Sequence, residues 1–173
     1  MRVDTPDPRR WYAMACLLLA NFMNLIDVTI VNVALPSIER NLGASSSQIE
    51  WVSAIYVLCF ALGLLPFGRL GDIVGRRRMF LIGCGVFTLG SALCGLAPGI
   101  GTLIAARAFQ GVGAAIMTPQ VLAIAQVIFP PAERGSAFSL FGVTASLASV
   151  SGPLIGGLLI SANLWDLSWR PIF

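Results

Sequence analysis

Residues 11–36 read WYAMACLLLANFMNLIDVTIVNVALP, and Asp27 is the one residue in the run that is charged at neutral pH. The run exceeds the roughly 20 apolar residues that cross a hydrocarbon core, and a buried helix of a soluble protein seldom needs so many. The rest of the chain has the same character. Its 173 residues are 57% hydrophobic and 11% charged, with mean hydropathy +0.84, whereas a soluble domain is roughly 45–50% apolar and ~25% charged. The composition therefore points to an all-α integral membrane protein.

Working outward from this first span (about 11–35), apolar runs place four more, at about 51–67, 79–97, 101–129 and 136–162. Pro36 is expected to end the first helix, Pro98-Gly99 to turn the chain between the third and fourth, and Pro130-Pro131 to separate the fourth from the fifth. Trp11, Tyr12, Trp51, Trp165 and Trp169 fall near span ends, where amphipathic rings suit the headgroup level. Arg2, Arg9 and Arg10 before the first span, Arg69, Arg76, Arg77 and Arg78 after the second, and Arg134 after the fourth all fall on one side. Only Arg40 and Arg170 face them. The positive-inside rule then makes residues 1–10 a cytoplasmic N-terminus and the protein a multi-pass component of the cytoplasmic (inner) cell membrane. Arg9-Arg10 ahead of an apolar stretch also fits a signal peptide, but the run continues without a cleavage site.

Polar groups inside these spans need compensation, because a carboxylate at mid-bilayer costs roughly 2.5–3.5 kcal/mol on insertion scales. Asn21, Asn24 and Asp27 are spaced by three, and Asn32 returns to the azimuth of Asn21, which gives the first helix a polar side. Arg107 lies about six residues into the fourth span, ~9 Å at 1.5 Å per residue, and Asp27 sits ~13 Å from the same end. The two charges are expected to face one polar cavity and to influence each other's charge state, directly or through water. Two simpler readings stay open: Arg107 snorkels to the interface, and Asp27 caps a local kink. Gln110, Gly111, Ala114 and Thr118 continue the face of Arg107, and Pro119 invites a kink. The fifth span carries a small-residue stripe, Gly142, Ser146, Ser149, Pro153 and Gly156, which by periodicity alone suits close helix packing.

The densest charge cluster, GRLGDIVGRRR at 68–78, reads as a loop between the second and third spans that anchors topology. Asp72 and three glycines are more than an anchor requires. Several chemistries are disfavoured. The chain has no His, no metal-ligand cluster and no nucleophile motif, which argues against an enzyme, a metal site or a bound cofactor. It has no phosphate loop ending in Gly-Lys-Ser/Thr, so an ATP-driven mechanism has no support, and a net charge of +3 dispersed through loops does not suit nucleic acid. Cys16, Cys59, Cys84 and Cys94 fall inside spans without a CxxC pair and read as packing residues.

Four segments together resemble the major facilitator superfamily, specifically its fourteen-helix drug:proton antiporter branch. DVTIVNVALP (27–36) looks like that branch's helix-1 signature. GRLGDIVGRRR resembles the superfamily loop motif, with Gly68, Leu70, Asp72, Gly75, Arg76 and Arg77 matching and Ile73 departing from the frequent Arg. LIAARAFQGVGAA (103–115) looks like the helix-4 motif whose Arg is associated with proton coupling. GVTASLASVSGPLIGG (142–157) resembles the antiporter motif of helix 5, centred on Gly152-Pro153 and Gly156-Gly157, with Ala148 where Gly is common. WRPIF (169–173) looks like the opening of a sixth helix, with Pro171 in place of an aromatic.

The resemblance implies a proton-coupled exporter of amphipathic organic compounds or drugs. Asp27, Arg107, Asn24 and Gln110 would couple protons to substrate; Gly68, Asp72, Gly75, Arg76 and Arg77 would form a cytoplasmic gating loop; Gly152, Pro153, Gly156 and Gly157 would shape helix 5. The expected partners are the lipid bilayer, protons and a small organic substrate. Five helices plus residues 163–173, a loop and the start of helix 6, would then be the N-terminal part of such a transporter, with the rest of helix 6 and the second half missing. Two other readings remain: a truncated membrane protein that at most associates with a full-length relative, and a nutrient transporter on the same fold.

Overall fold

The computed structural model describes residues 10–162 and 167–173. Residues 1–9, with Arg2 and Arg9, and Trp165 lie outside the described residues, so the expectations resting on them have no structural counterpart. Five helices follow one another: α1 (Arg10–Leu42), α2 (Ser46–Val74), α3 (Arg76–Gly95), α4 (Ile100–Ile128) and α5 (Pro131–Ala162), then a 3-10 turn at Arg170–Ile172. All five are long and apolar enough to cross a membrane, and no strand occurs among the described residues.

The helix ends differ from the expected span ends in ways that have a physical cause. Pro36 does not stop α1, which continues to Leu42. Proline removes one donor from the ladder, a loss tolerated in membrane helices when neighbours supply replacements. Here Ser37 and Ile38, just past the proline, are packed in the core and hold the helix together, while Arg40 Nε adds a further bond to Pro36 O at 3.1 Å. The helix ends instead at Gly43 (φ +60), where Ala44 N reaches back to Glu39 O at 3.2 Å. The supposed loop 68–78 is mostly helix. Residues 68–74 complete α2, residues 76–78 open α3, and Gly75 alone separates them at φ +107, a conformation that a side chain would strain. Pro66, inside α2, again leaves the helix intact. The α5 helix begins five residues before its apolar span, at Pro131, whose missing N–H is no loss in a first turn. Capping fixes two other starts. Ser45 and Gln48 exchange backbone and side-chain bonds at the head of α2, and Thr102 bonds Gly99 at the head of α4.

Packing divides the bundle into two groups: α4 lies between α2 and α3, and α1 lies mainly along α5. The α1/α5 contact rests on small residues, since a Cβ at Gly152 would meet Thr29 Oγ1 and one at Gly156 would lie 2.8 Å from Ile30 Cγ1. Thr29 Oγ1 lies 3.2 Å from Ala148 O across the same seam. Replacing Gly156 by leucine is expected to pry α1 from α5 and cost about 2 kcal/mol of unfolding free energy in detergent. Gly142→Leu, into open space, should change it by no more than about 0.5 kcal/mol; equal losses at the two positions would contradict this packing.

Two apolar clusters occupy opposite ends of the bundle. At the basic end, near Arg10, Arg76 and Arg134, Met14 and Leu17 pack with Met117, Val121, Ala125, Phe129 and Ala137. At the other end Ile30, Val31, Ala34 and Ile38 pack with Val52, Cys94, Leu103 and Trp169. Leu62, Leu65, Leu154 and Leu158 are among the large side chains left facing outward, as suits a lipid-facing surface.

Candidate functional site

Between the two apolar clusters lies a cluster of buried polar side chains. Asp27, on α1, and Arg107, on α4, are 6% and 1% exposed, which rules out snorkelling. Arg107 Nη1 donates to Asp27 Oδ2 at 2.6 Å, so the expected pairing is direct and needs no water. Gln110, one turn along α4, completes the arrangement. Its Nε2 donates to Asp27 Oδ1 at 2.8 Å, and its Oε1 accepts from Arg107 Nη1 at 2.7 Å. Both carboxylate oxygens and one guanidinium nitrogen are thereby satisfied in a three-residue ring, the condition under which a buried charge pair is tolerated.

Asn24 joins from the next turn of α1, donating from Nδ2 to Thr118 Oγ1 at 3.2 Å and accepting from the Tyr56 hydroxyl. Of the four residues expected at the coupling site, Asp27, Arg107 and Gln110 bond one another, and Asn24 connects to them through Tyr56. Asn32, expected on the same polar side, is instead exposed and lies 3.5 Å from Ser53 Oγ.

Tyr56 was not legible as a site residue. Its ring lies 4.1 Å from the Arg107 guanidinium carbon, its hydroxyl bonds Asn24, and Val52 O, one turn away on α2, accepts from Arg107 Nε at 3.2 Å. A phenol inside an apolar run needs a partner for its hydroxyl, and that was the available signal. Cys94 also departs from its reading as a plain packing residue, since its Sγ lies 3.6 Å from Gln110 Oε1. Arg107 is therefore held by α2 and α4 independently of Asp27. α1 packs less extensively on α4 than on α5, and these polar bonds join the two helix groups between the apolar clusters at either end.

The other expected sites lie apart from this one. Asp72 and Arg76 pair at the exposed basic end, flanking Gly75, while Arg77 is exposed. Gly68 and Gly71 face α4, where Gln120 donates to Phe67 O at 2.9 Å. Gly152 and Gly156 are buried against α1; Pro153 is exposed, and nothing lies within 4 Å of a Cβ built on Gly157. Arg170–Ile172 form the 3-10 turn, preceded by the fully buried Trp169, within the segment read as the start of a sixth helix. Among the described residues no group of His, Cys, Asp and Glu could hold a metal.

Five long apolar helices closed around a buried ion pair define a polytopic membrane protein. The chain belongs to the Major Facilitator Superfamily, whose family model matches residues 17–173. Over 97% of its length it is 45% identical to a probable actinorhodin transporter of Streptomyces coelicolor. Over 95% it is 45% identical to the puromycin resistance protein pur8 of Streptomyces alboniger, and over 90% it is 43% identical to the multidrug resistance protein Stp of Mycobacterium tuberculosis. It spans only 29%, 32% and 28% of those proteins. Among solved structures it resembles a bacterial homolog of the human lysosomal transporter Spinster, inward-facing and occupied, at TM-score 0.82 and 25% identity, over 92% of this chain and 34% of that one.

Proposed function

We propose that these residues belong to a proton-coupled antiporter that exports amphipathic organic compounds across the cytoplasmic membrane, with the end bearing Arg10, Arg76 and Arg134 inside. The names of the relatives support export of such compounds, and the excess of arginine at one end supports the orientation. One observation carries the coupling: Asp27 of α1 bonds both Arg107 and Gln110 of α4, in a polar ring that lies between the two apolar clusters. When Asp27 takes up a proton its charge attraction to Arg107 is lost. Arg107 keeps Val52 O, Gln110 Oε1 and the Tyr56 face, so α1, together with α5, is the element set free to move. A ligand that favours one arrangement then biases the proton, and the proton biases the ligand by the same free energy. Asp72 and Arg76, on either side of the Gly75 break, would latch the cytoplasmic end in one state.

Substrate addition to the purified whole protein in detergent is expected to release protons, and Asp27→Asn to abolish that release while substrate still binds. Undiminished release from Asp27→Asn would remove Asp27 from the coupling. Net substrate uptake down a proton gradient would favour an importer on the same fold.

A further inference from the structure

Trp169 is the largest fully buried side chain described, although it lies outside the five long helices. It shares one apolar cluster with Ile30, Val31, Ala34 and Ile38 of α1, Ile49 and Val52 of α2, Cys94 of α3 and Leu103 of α4. That cluster covers the next turns beyond Asp27 and Arg107, and the ring of Phe173 comes within 5.8 Å of the Arg107 guanidinium carbon. The segment also packs on α5, but its polar attachments to α3 and α1 are unequal. Arg170 Nη1 donates to Gly95 O at 2.9 Å and to Ala97 O at 2.8 Å, satisfying carbonyls at the end of α3 that have no donor within the helix. Ser91 Oγ, also on α3, donates to Phe173 O at 2.6 Å. Toward α1, Trp169 Nε1 makes one long contact, to Asn41 Oδ1 at 3.4 Å.

From this asymmetry we infer that Trp169, bolted to α3 through Arg170, is the outer seal over the Asp27–Arg107 pair, and that the seal opens where α1 leaves Trp169. The assignment of this end as outer rests on the orientation proposed above. The seal gives the coupling site a defined external closure: movement of α1 away from α4 also uncovers the pair to the outside, while Trp169 stays with α3.

Cys94 is a built-in reporter, since it is buried in the same cluster and touches Gln110. With Cys16, Cys59 and Cys84 replaced by alanine, a membrane-impermeant thiol reagent is applied to right-side-out and to inverted vesicles. Cys94 should stay almost unlabelled from either face. Trp169→Ala should raise its labelling rate from the outer face by at least about tenfold, because a large core cavity makes local opening far more frequent. Arg170→Ala should raise it less, and Trp169→Phe should stay near the parent rate. A Trp169→Ala protein whose Cys94 stays protected overturns the seal. Labelling that rises alike from both faces also overturns it, because that reports general loosening. A rise confined to the cytoplasmic face overturns it together with the orientation. Absence of substrate-driven proton release would end the antiporter reading and leave these labelling rates untouched, so the two failures are separable.

Discussion

Asp27→Ala is expected to be the more damaging of the two truncations at the buried pair, lowering the unfolding free energy by about 3–5 kcal/mol. It leaves the Arg107 guanidinium sealed from water with Val52 O and Gln110 Oε1 as its remaining acceptors. A guanidinium has no neutral form accessible in a protein. Arg107→Ala leaves a carboxylate bonded to Gln110 Nε2, and a lone buried carboxylate can shed its charge by taking up a proton. Its cost should therefore be smaller, about 1–3 kcal/mol. Replacing both residues with apolar side chains of similar volume, Asp27→Leu with Arg107→Met, should recover most of the loss. Equilibrium unfolding in mixed micelles measures all three, and the Asp27→Ala/Arg107→Ala double variant closes the double-mutant cycle. Additive losses, or a larger loss from Arg107→Ala, would contradict the ring of bonds described above.

The second large effect is expected at Gly113 and Gly111 on α4. A Cβ at Gly113 would collide with the backbone of Phe87 on α3, and one at Gly111 would lie 2.5 Å from Tyr56 O on α2. Both obstacles are main-chain atoms, so no rotamer change relieves them and the helices must separate. Gly113→Val or Gly111→Val should each cost about 3 kcal/mol or more, at the upper end for overpacking. Gly111→Val should also draw α2 away from α4, carrying Tyr56 and Val52 O off Arg107. The control is Gly85→Val on α3, where nothing lies within 4 Å and the change should be within about 0.5 kcal/mol. Unfolding in detergent and cysteine cross-linking between α2 and α4 read the two consequences. Tolerance of valine at both positions would mean that the helices do not approach as closely as described.

Much of this architecture is written into local chemistry. Five apolar runs specify five spanning helices because an unpaired backbone amide is so costly in hydrocarbon that each run must close its own hydrogen bonds. The same argument explains why Pro36 and residues 68–74 do not break their helices. Proline and glycine break helices in water, but packing of Ser37 and Ile38 holds α1 together past Pro36, and Gln120 secures α2 to α4 at Phe67 O. Punctuation rules drawn from water-exposed chains give way where water cannot replace the lost bond.

At the site, helical spacing and the cost of charge in lipid were enough to single out Asp27, Asn24, Arg107 and Gln110, because one helix face is a local property. Tyr56 and Trp169 were beyond that reach. Nothing within α2 marks Tyr56 as facing an arginine, and an aromatic near a span end is as much at home at the headgroups as in a core.

By itself, then, the sequence determined the number of helices, their apolar character and which side chains could not be left facing lipid, since each follows from the transfer cost of groups close together along the chain. Only the tertiary structure decided that α1 lies along α5 while α4 is gripped by α2 and α3, that Arg107 is tied to Val52 O of α2 as well as to Asp27 of α1, and that Trp169 closes over the pair. Those facts depend on contacts between residues such as Asp27 and Arg107, whose separation along the chain carries no record of their meeting in space.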